Sequence, residues 1–445
     1  MSRLASMLLA LALLVGACSV SDGPADDEAV ASTTSTTSTT VPSTTSTGAP
    51  AVVRVGAEVL ADGGFAELDG ARVGLIANQT TLVDGRHLID VLHEADNVEL
   101  VAVFAPEHGV RGTAGAGELI DDEVDTVTGV PILSLYGETR RPTIEMLEGI
   151  DTIVYDLQDV GGRFYTYIST MGLAMQTANE VGARFVVLDR PDPSGLTTPA
   201  GFVLEPEHVS FIGQYPIPAA YAMTAGEVAR AIVGEGWLDG VAGLDLEVVE
   251  MAGWQRGMTW AETGRKWVPP SPGLQTARSA VVYLGTVLFE ATSISYGGGT
   301  DLAFELVGAP WADADLMALE LNARGLAGVR FDAITFAPRP IPGRTSNPRL
   351  NGEVVHGVQI VIEDRATFDP VATAVHVLDA FWREARVRGV ADDEYLARPA
   401  AFTLLAGTTR LVDELLAGAT ASEVVEGWAA ELDAFTEVRS AYLLY

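Results

Sequence analysis

Thr152-Ile153-Val154-Tyr155-Asp156 runs directly into Leu157-Gln158-Asp159-Val160-Gly161-Gly162-Arg163-Phe164-Tyr165-Thr166-Tyr167, and a helix-like pattern then occupies residues 168–181. A near-continuous apolar run, closed by polar residues and followed by a helix, predicts a strand buried on both faces, as in a parallel sheet covered by helices. The same pattern recurs on either side of this stretch. Arg72-Val73-Gly74-Leu75-Ile76-Ala77 and residues 98–105 precede it, and Arg184-Phe185-Val186-Val187-Leu188-Asp189 follows it. Further helical patterns lie at residues 88–95 and 143–147. Alternation of this kind predicts an α/β, doubly wound domain. Another helix should start at Met223-Thr224-Ala225-Gly226-Glu227, where Thr224 and Glu227 have capping-box spacing.

Each apolar run ends in a polar cluster. These are Asn78-Gln79-Thr80, Glu107-His108-Gly109, Asp156-Leu157-Gln158-Asp159 and Asp189-Arg190-Pro191. In an open parallel sheet the carboxyl ends of the strands share one edge, and ligands bind in the crevice there. Four groups far apart in sequence are therefore expected to converge.

Several chemistries are excluded. No Gly-x-Gly-x-x-Gly follows the first run and no Gly-Lys-Ser/Thr occurs, so no nucleotide cofactor is expected. Lys266 is the single lysine, which removes P-loop and Ser-x-x-Lys chemistry elsewhere. Of the six histidines, none forms His-Glu-x-x-His, and the spacing between His87 and His93 does not place both on one helix face, so no metal is expected. Gly-x-Ser-x-Gly is missing too. A net charge of −33 over 445 residues repels phosphate backbones and argues against a nucleic-acid partner.

What remains is carboxylates beside rings and guanidinium groups, densest at 156–167. Sugar hydrolysis needs little more: a carboxylic acid for the leaving oxygen, a second group for water or the oxocarbenium ion, and rings and amides to hold the sugar. Arg163 either forks a substrate carboxylate or pairs with Asp156 or Asp159 to hold the loop. Tyr165 and Tyr167 either meet the sugar or pack at a helix start. Gly297-Gly298-Gly299-Thr300 is a backbone turn by default and a cleft lining at its sharpest.

The first 17 residues predict a secretion signal: Arg3, then an apolar run over 8–15 too short to span a bilayer, then small residues. Cys18, the only cysteine, follows Val15-Gly16-Ala17 and resembles a bacterial lipobox. The resemblance implies cleavage before Cys18 and a lipid on its sulfur. Residues 18–52 follow as a tether, with 32–47 almost entirely Ser and Thr and no periodic apolar positions. The expected location is the outer face of the bacterial membrane, with the lipid as the only membrane contact. The folded part divides into residues 53–275 and a smaller portion, 276–445, where Asp369-Pro370 predicts a capped helix over 371–386 and residues 422–435 another helix.

Pro106-Glu107-His108-Gly109, Ser134-Leu135-Tyr136-Gly137, the 156–167 run and Leu188-Asp189-Arg190-Pro191 together resemble the NamZ family of exo-β-N-acetylmuramidases. Asn78-Gln79-Thr80, Met223-Thr224-Ala225-Gly226-Glu227, Pro269-Pro270-Ser271-Pro272, Gly308-Ala309-Pro310-Trp311 and Tyr442-Leu443-Leu444-Tyr445 extend the match over the folded chain. The resemblance implies a Rossmann-like catalytic domain, a smaller α+β C-terminal domain walling the cleft, and release of N-acetylmuramic acid (MurNAc) from non-reducing ends of peptidoglycan fragments without a cofactor. Carried over residue by residue, it implies Glu107 as catalytic acid with Asp159 and Tyr167. Asn78, His108, Asp156, Gln158, Arg163, Tyr165, Asp189 and Arg190 would bind substrate, with Arg163 or Arg190 facing the lactyl carboxylate. The chain departs from the family's usual Ser-Glu-Gly-Arg-Gly-Thr, reading Ser295-Tyr296-Gly297-Gly298-Gly299-Thr300 instead. A lipid-anchored solute-binding protein, or an inactive homologue that binds muropeptides, is the alternative.

Overall fold

Seven strands, β1 (Arg72–Ala77), β2 (Glu99–Ala105), β3 (Glu123–Val124), β4 (Pro131–Ser134), β5 (Thr152–Asp156), β6 (Arg184–Leu188) and β7 (Leu246–Val249), form the central sheet of the computed structural model. The structure describes residues 52–111 and 118–445. The signal sequence, Cys18 and the Ser/Thr-rich tether up to residue 51 lie outside the described residues.

The sheet order is β7-β6-β5-β1-β2-β4-β3, parallel throughout except for the short edge strand β3. The four apolar runs are thus four adjacent strands, and their ends are level: Ala77 pairs with Asp156. Both faces are covered, as the runs require. Phe104, Ile153, Tyr155, Phe185 and Val187 enter one core with α3 (Tyr167–Val181) and α4 (Ala225–Glu235). Leu75, Val103, Val154, Val186 and Leu188 enter the other with α1 (Gly56–Asp62) and α2 (Leu88–His93). Side chains alternate between faces with a period of two, so an apolar residue at nearly every position is what a doubly covered strand needs. Thr224 caps α4 by the capping box expected: its Oγ1 accepts from Glu227 N at 3.2 Å, and Glu227 Oε2 accepts from Thr224 N at 2.9 Å.

The C-terminal portion is α+β. An antiparallel sheet, β8 (Leu306–Ala309), β9 (Val329–Phe336) and β10 (Val355–Ile362) in the order β8-β10-β9, is accompanied by α5 (Ala277–Thr286), α6 (Ala314–Ala323) and α7 (Pro370–Val387). Asp369 Oδ1 accepts from Val371 N and Ala372 N, both at 2.9 Å, so the cap of α7 is as expected. The helix expected over 422–435 is instead two, Ala421–Glu426 and Ala429–Ser440. The break at Gly427 lets Trp428 turn inward and pack edge-on against Phe202, ring centres 5.2 Å apart.

One apolar core joins the two portions: Phe164, Phe202 and Ala219 pack with Leu284, Val371, Phe381 and Trp428. The described chain accordingly forms a single compact unit.

Candidate active site

A cleft of about 930 Å³ opens at the carboxyl ends of the central strands. One wall carries Glu107, His108, Tyr136, Tyr165, Thr166 and Tyr167; the other carries Tyr283, Glu290, Tyr296, Arg398 and the segment 340–347. The chain leaves β2 through Pro106 and turns sharply, with both His108 and Gly109 at φ +74°. Glycine adopts that conformation freely, whereas histidine is strained in it. The turn puts the Glu107 carboxylate where Thr166 Oγ1 donates to its Oε2 at 2.9 Å. Burial, and then the Glu107 charge, push the Tyr136 phenol above its usual value.

Tyr167 opens α3 and is fixed on two sides. Its hydroxyl accepts from Asn78 Nδ2 at 2.9 Å and donates to the Pro270 carbonyl at 2.7 Å. Burial, and then the Glu107 charge, hold this phenol well above its ordinary value, so it stays a neutral donor. A chain of rings continues across the cleft. Tyr165 meets Tyr167 edge-on at 4.8 Å and Tyr283 at 6.2 Å; Tyr283 meets Phe304 at 4.8 Å, and Tyr296 stacks on Phe304 at 5.0 Å.

Behind this wall lies a polar framework. Arg190 forks onto Asp156, Nε to Oδ1 at 2.5 Å and Nη2 to Oδ2 at 2.8 Å, with Asp156 fully buried. Gln158 donates to the carbonyls of Asp159 and Pro191, both at 2.8 Å. Asp159 Oδ2 accepts from Gly161 N at 2.9 Å and from the Tyr221 hydroxyl; burial pushes its carboxyl up to about 6. Asp189 accepts from Thr224 Oγ1 at 2.6 Å, Gly226 N at 2.9 Å and Tyr445 OH at 3.0 Å, joining a strand end to the start of α4 and to the C-terminal residue. Arg163, with no exposed surface, donates to the carbonyls of Phe202 (2.9 Å), Ile217 (3.1 Å) and Leu405 (3.0 Å). Burial pulls its pKa down to about 9.

The expected residues therefore divide. Glu107, His108, Tyr165 and Tyr167 line the cleft, and Asn78 holds Tyr167 from behind. Asp156, Gln158, Asp159, Arg163, Asp189 and Arg190 are absent from the cleft lining. Each makes hydrogen bonds inside the protein, though Asp159 Oδ1 and Arg163 Nε are buried without a partner. Arg163 makes neither of the contacts expected of it: no substrate carboxylate reaches a fully buried side chain, and three main-chain carbonyls take the place of Asp156 or Asp159.

The sequence reading missed Glu290, Tyr283, Tyr296 as a cleft ring, and Arg398. Glu290 sits in the 3₁₀ turn Val287–Ala291 after α5. It is the only charged residue in the apolar stretch 280–291, which was the available signal. Burial pushes its carboxyl up to about 7, against the pull of Arg398 and Arg349. The glycine-rich loop is both things considered for it. Gly298, Gly299 and Thr300 line the cleft, while Gly299, at φ +83°, turns so tightly that a Cβ would lie 2.6 Å from the Arg339 carbonyl.

Residues 73–278 match the family described as "Exo-beta-N-acetylmuramidase NamZ, N-terminal", and residues 281–445 match its C-terminal counterpart. The chain is 39% identical over 394 residues to "Peptidoglycan beta-N-acetylmuramidase NamZ" of Bacillus subtilis (strain 168), covering 88% of this chain and 91% of that protein. Two crystal structures of DUF1343 family proteins from Bacteroides fragilis NCTC 9343 are also similar. One has a TM-score of 0.81 and 37% identity, covering 88% of this chain and 99% of its own; the other has 0.71 and 31%, covering 89% and 99%. On the strength of both matching portions and this identity, the chain belongs to the NamZ exo-β-N-acetylmuramidase family of glycosidases.

Proposed function

We propose that this protein hydrolyses the β-glycosidic bond of a terminal MurNAc residue at the non-reducing end of peptidoglycan fragments. The observation that carries the reading is Glu107: a carboxylate at a strand end, steadied by Thr166, in the wall of a ring-lined cleft. Tyr165, Tyr283 and Tyr296 add aromatic surface to the cleft lining, of the kind that holds a sugar ring. Glu107 is the carboxyl we assign to the scissile bond. MurNAc differs from N-acetylglucosamine (GlcNAc) by a lactyl carboxylate. With Arg163 and Arg190 held behind the wall, the guanidinium groups lining the cleft among the described residues are Arg344, paired with Asp301, and Arg398, bonded to the Glu290 carbonyl, and we assign the lactyl carboxylate to these.

The proposal extends to location. A signal sequence, a lipid on Cys18 and a Ser/Thr-rich tether would hold the enzyme in the wall space, within reach of its polymer. Cys18→Ser should move the protein from the membrane fraction to the soluble fraction.

The activity is tested with a chromogenic β-MurNAc glycoside, its β-GlcNAc analogue and the Glu107→Gln variant. Release from the MurNAc glycoside alone, lost in the variant with its circular dichroism unchanged, is the expected result. No release from either, with thermal stabilisation by MurNAc-containing fragments, would replace the enzyme reading with a binding protein.

A further inference from the structure

Among the described residues, three carboxyl side chains line the cleft: Glu107, Glu118 and Glu290. Glu290 differs from every buried aspartate of the framework. Asp159, Asp189 and Asp192 each accept hydrogen bonds from the protein: Asp159, through Oδ2 only, from Tyr221 and Gly161, Asp189 from Thr224 and Gly226, Asp192 from Ser194. The Glu290 carboxyl receives no hydrogen bond and makes no ion pair with any described residue. Its backbone, by contrast, is clamped. The Glu290 carbonyl accepts from Arg349 Nη2 at 2.8 Å and from the Arg398 guanidinium. Arg349 Nη1 adds bonds to the carbonyls of Phe289 at 2.8 Å, Ile294 at 3.2 Å and Thr292. A turn fixed this firmly, presenting to the cleft a carboxyl that no described residue hydrogen-bonds, is organised for a partner from outside the protein.

We propose that Glu290 is the second catalytic carboxyl of this glycosidase, acting on the same bound sugar as Glu107. The inference rests on the glycosidase reading above. Most glycosidases use two carboxyls, one to protonate the leaving oxygen and one as base or nucleophile. The strand ends supply Glu107, and the C-terminal portion supplies Glu290. This explains why the cleft lies between the two portions.

The charged and titratable groups that face Glu290 are Glu107 from the opposite wall, Arg398 and Arg349 from its own side, and the phenols of Tyr283 and Tyr296. Burial and the Glu107 charge favour its neutral form; the two guanidinium groups oppose them without prevailing. A carboxyl raised to about 7 still carries its proton on part of the molecules at neutral pH, which suits it to act as the acid. Glu290 gives its proton to the leaving oxygen as the C1–O bond breaks, and the bonding electron pair goes to that oxygen. Water supplies the hydroxyl that joins C1, and its remaining proton returns to the carboxyl pair, which ends the turnover with the proton count it had at the start. On this assignment Glu107 takes the other role at the bond, the reverse of the one the family resemblance implies.

Leaving-group dependence tests this. With the intact protein, Glu290→Gln should lower kcat on an unactivated MurNAc–GlcNAc disaccharide by about a hundredfold or more, since general acid catalysis contributes roughly 10²–10⁴. The loss should be much smaller on 4-nitrophenyl β-MurNAc, whose leaving group needs no proton. The fall in kcat/KM as pH rises through about 7 should also vanish. Glu290→Asp, which keeps a carboxyl, should retain that fall and part of the activity, and it serves as the measure should the glutamine variant not fold. Activity of Glu290→Gln within threefold of the parent on both substrates, or an equal loss on both through KM alone, would overturn the assignment while leaving the glycosidase reading intact. A parent protein that turns over neither substrate overturns both.

Discussion

The aspartates behind the cleft and the glutamates lining it are set around the same cleft and are treated in different ways. Asp156 ends β5, Asp159 and Asp189 follow β5 and β6, and all three are buried and hydrogen-bonded by Arg190, Tyr221, Thr224 and main-chain N–H groups, with Asp159 Oδ1 alone left without a partner. Glu107 follows β2, and Glu290 follows α5; both open into the cleft. The difference teaches how a strand-end site is built. Buried polar groups must be hydrogen-bonded, so most of the polarity at this sheet edge fixes loops rather than meeting substrate. The fixed loops then hold a small number of groups still.

The comparison is broken most directly at Glu107. Glu107→Gln should lower MurNAc release by about 10²–10⁴-fold, or roughly 3–5 kcal/mol of transition-state stabilisation, with an unchanged thermal midpoint. A framework residue should do the reverse. Arg190→Met leaves Asp156 buried and unpaired, a change that typically costs about 3–5 kcal/mol of stability, read as a lower urea midpoint. Arg163→Met leaves the carbonyls of Phe202, Ile217 and Leu405 short of a donor and should cost about 1–3 kcal/mol, while the MurNAc-to-GlcNAc preference of the folded fraction stays as it was. A changed preference would move Arg163 from framework to binding group.

The framework should also show in the pH dependence of stability. Burial pushes the Asp192 carboxyl up to about 7 despite two hydrogen bonds from Ser194. A carboxyl raised on folding binds more protons in the native than in the unfolded state. Its protonation therefore stabilises the fold at low pH, and this contribution fades as pH rises from about 4 through 7. Unfolding free energies of the parent, set against Asp192→Asn at several pH values, should show the parent gaining on the variant as pH falls through that window. The smallest effect is expected at Asp369→Ala, which removes the cap of α7 and should cost about 1 kcal/mol with no change in activity.

Much of the framework was legible in the sequence because it follows local rules. β1 and β5 begin and end at the residues the apolar runs predict, and Thr224 with Glu227 and Asp369 with Pro370 announce their helices from side-chain chemistry alone. Convergence of the four strand ends followed from the parallel alternation. Which polar residues would face the cleft did not follow. Arg163 looks like a ligand for a carboxylate until residue 405, 242 positions away, presents its carbonyl. Glu290 carries no motif; its place in the cleft depends on how the C-terminal portion packs against the sheet. The split of the 422–435 helix was hidden for a similar reason, since the inward turn of Trp428 responds to Phe202, far away in the chain.

Arg163 has a mechanical consequence. Its guanidinium ties a loop after β5 and the 200–220 hairpin region to Leu405 of the C-terminal portion, deep inside the protein. Gaping of the two portions would tear that tie and strand a cation in an apolar joint. The jaw is riveted at its base, so opening it wider would break three buried hydrogen bonds at once.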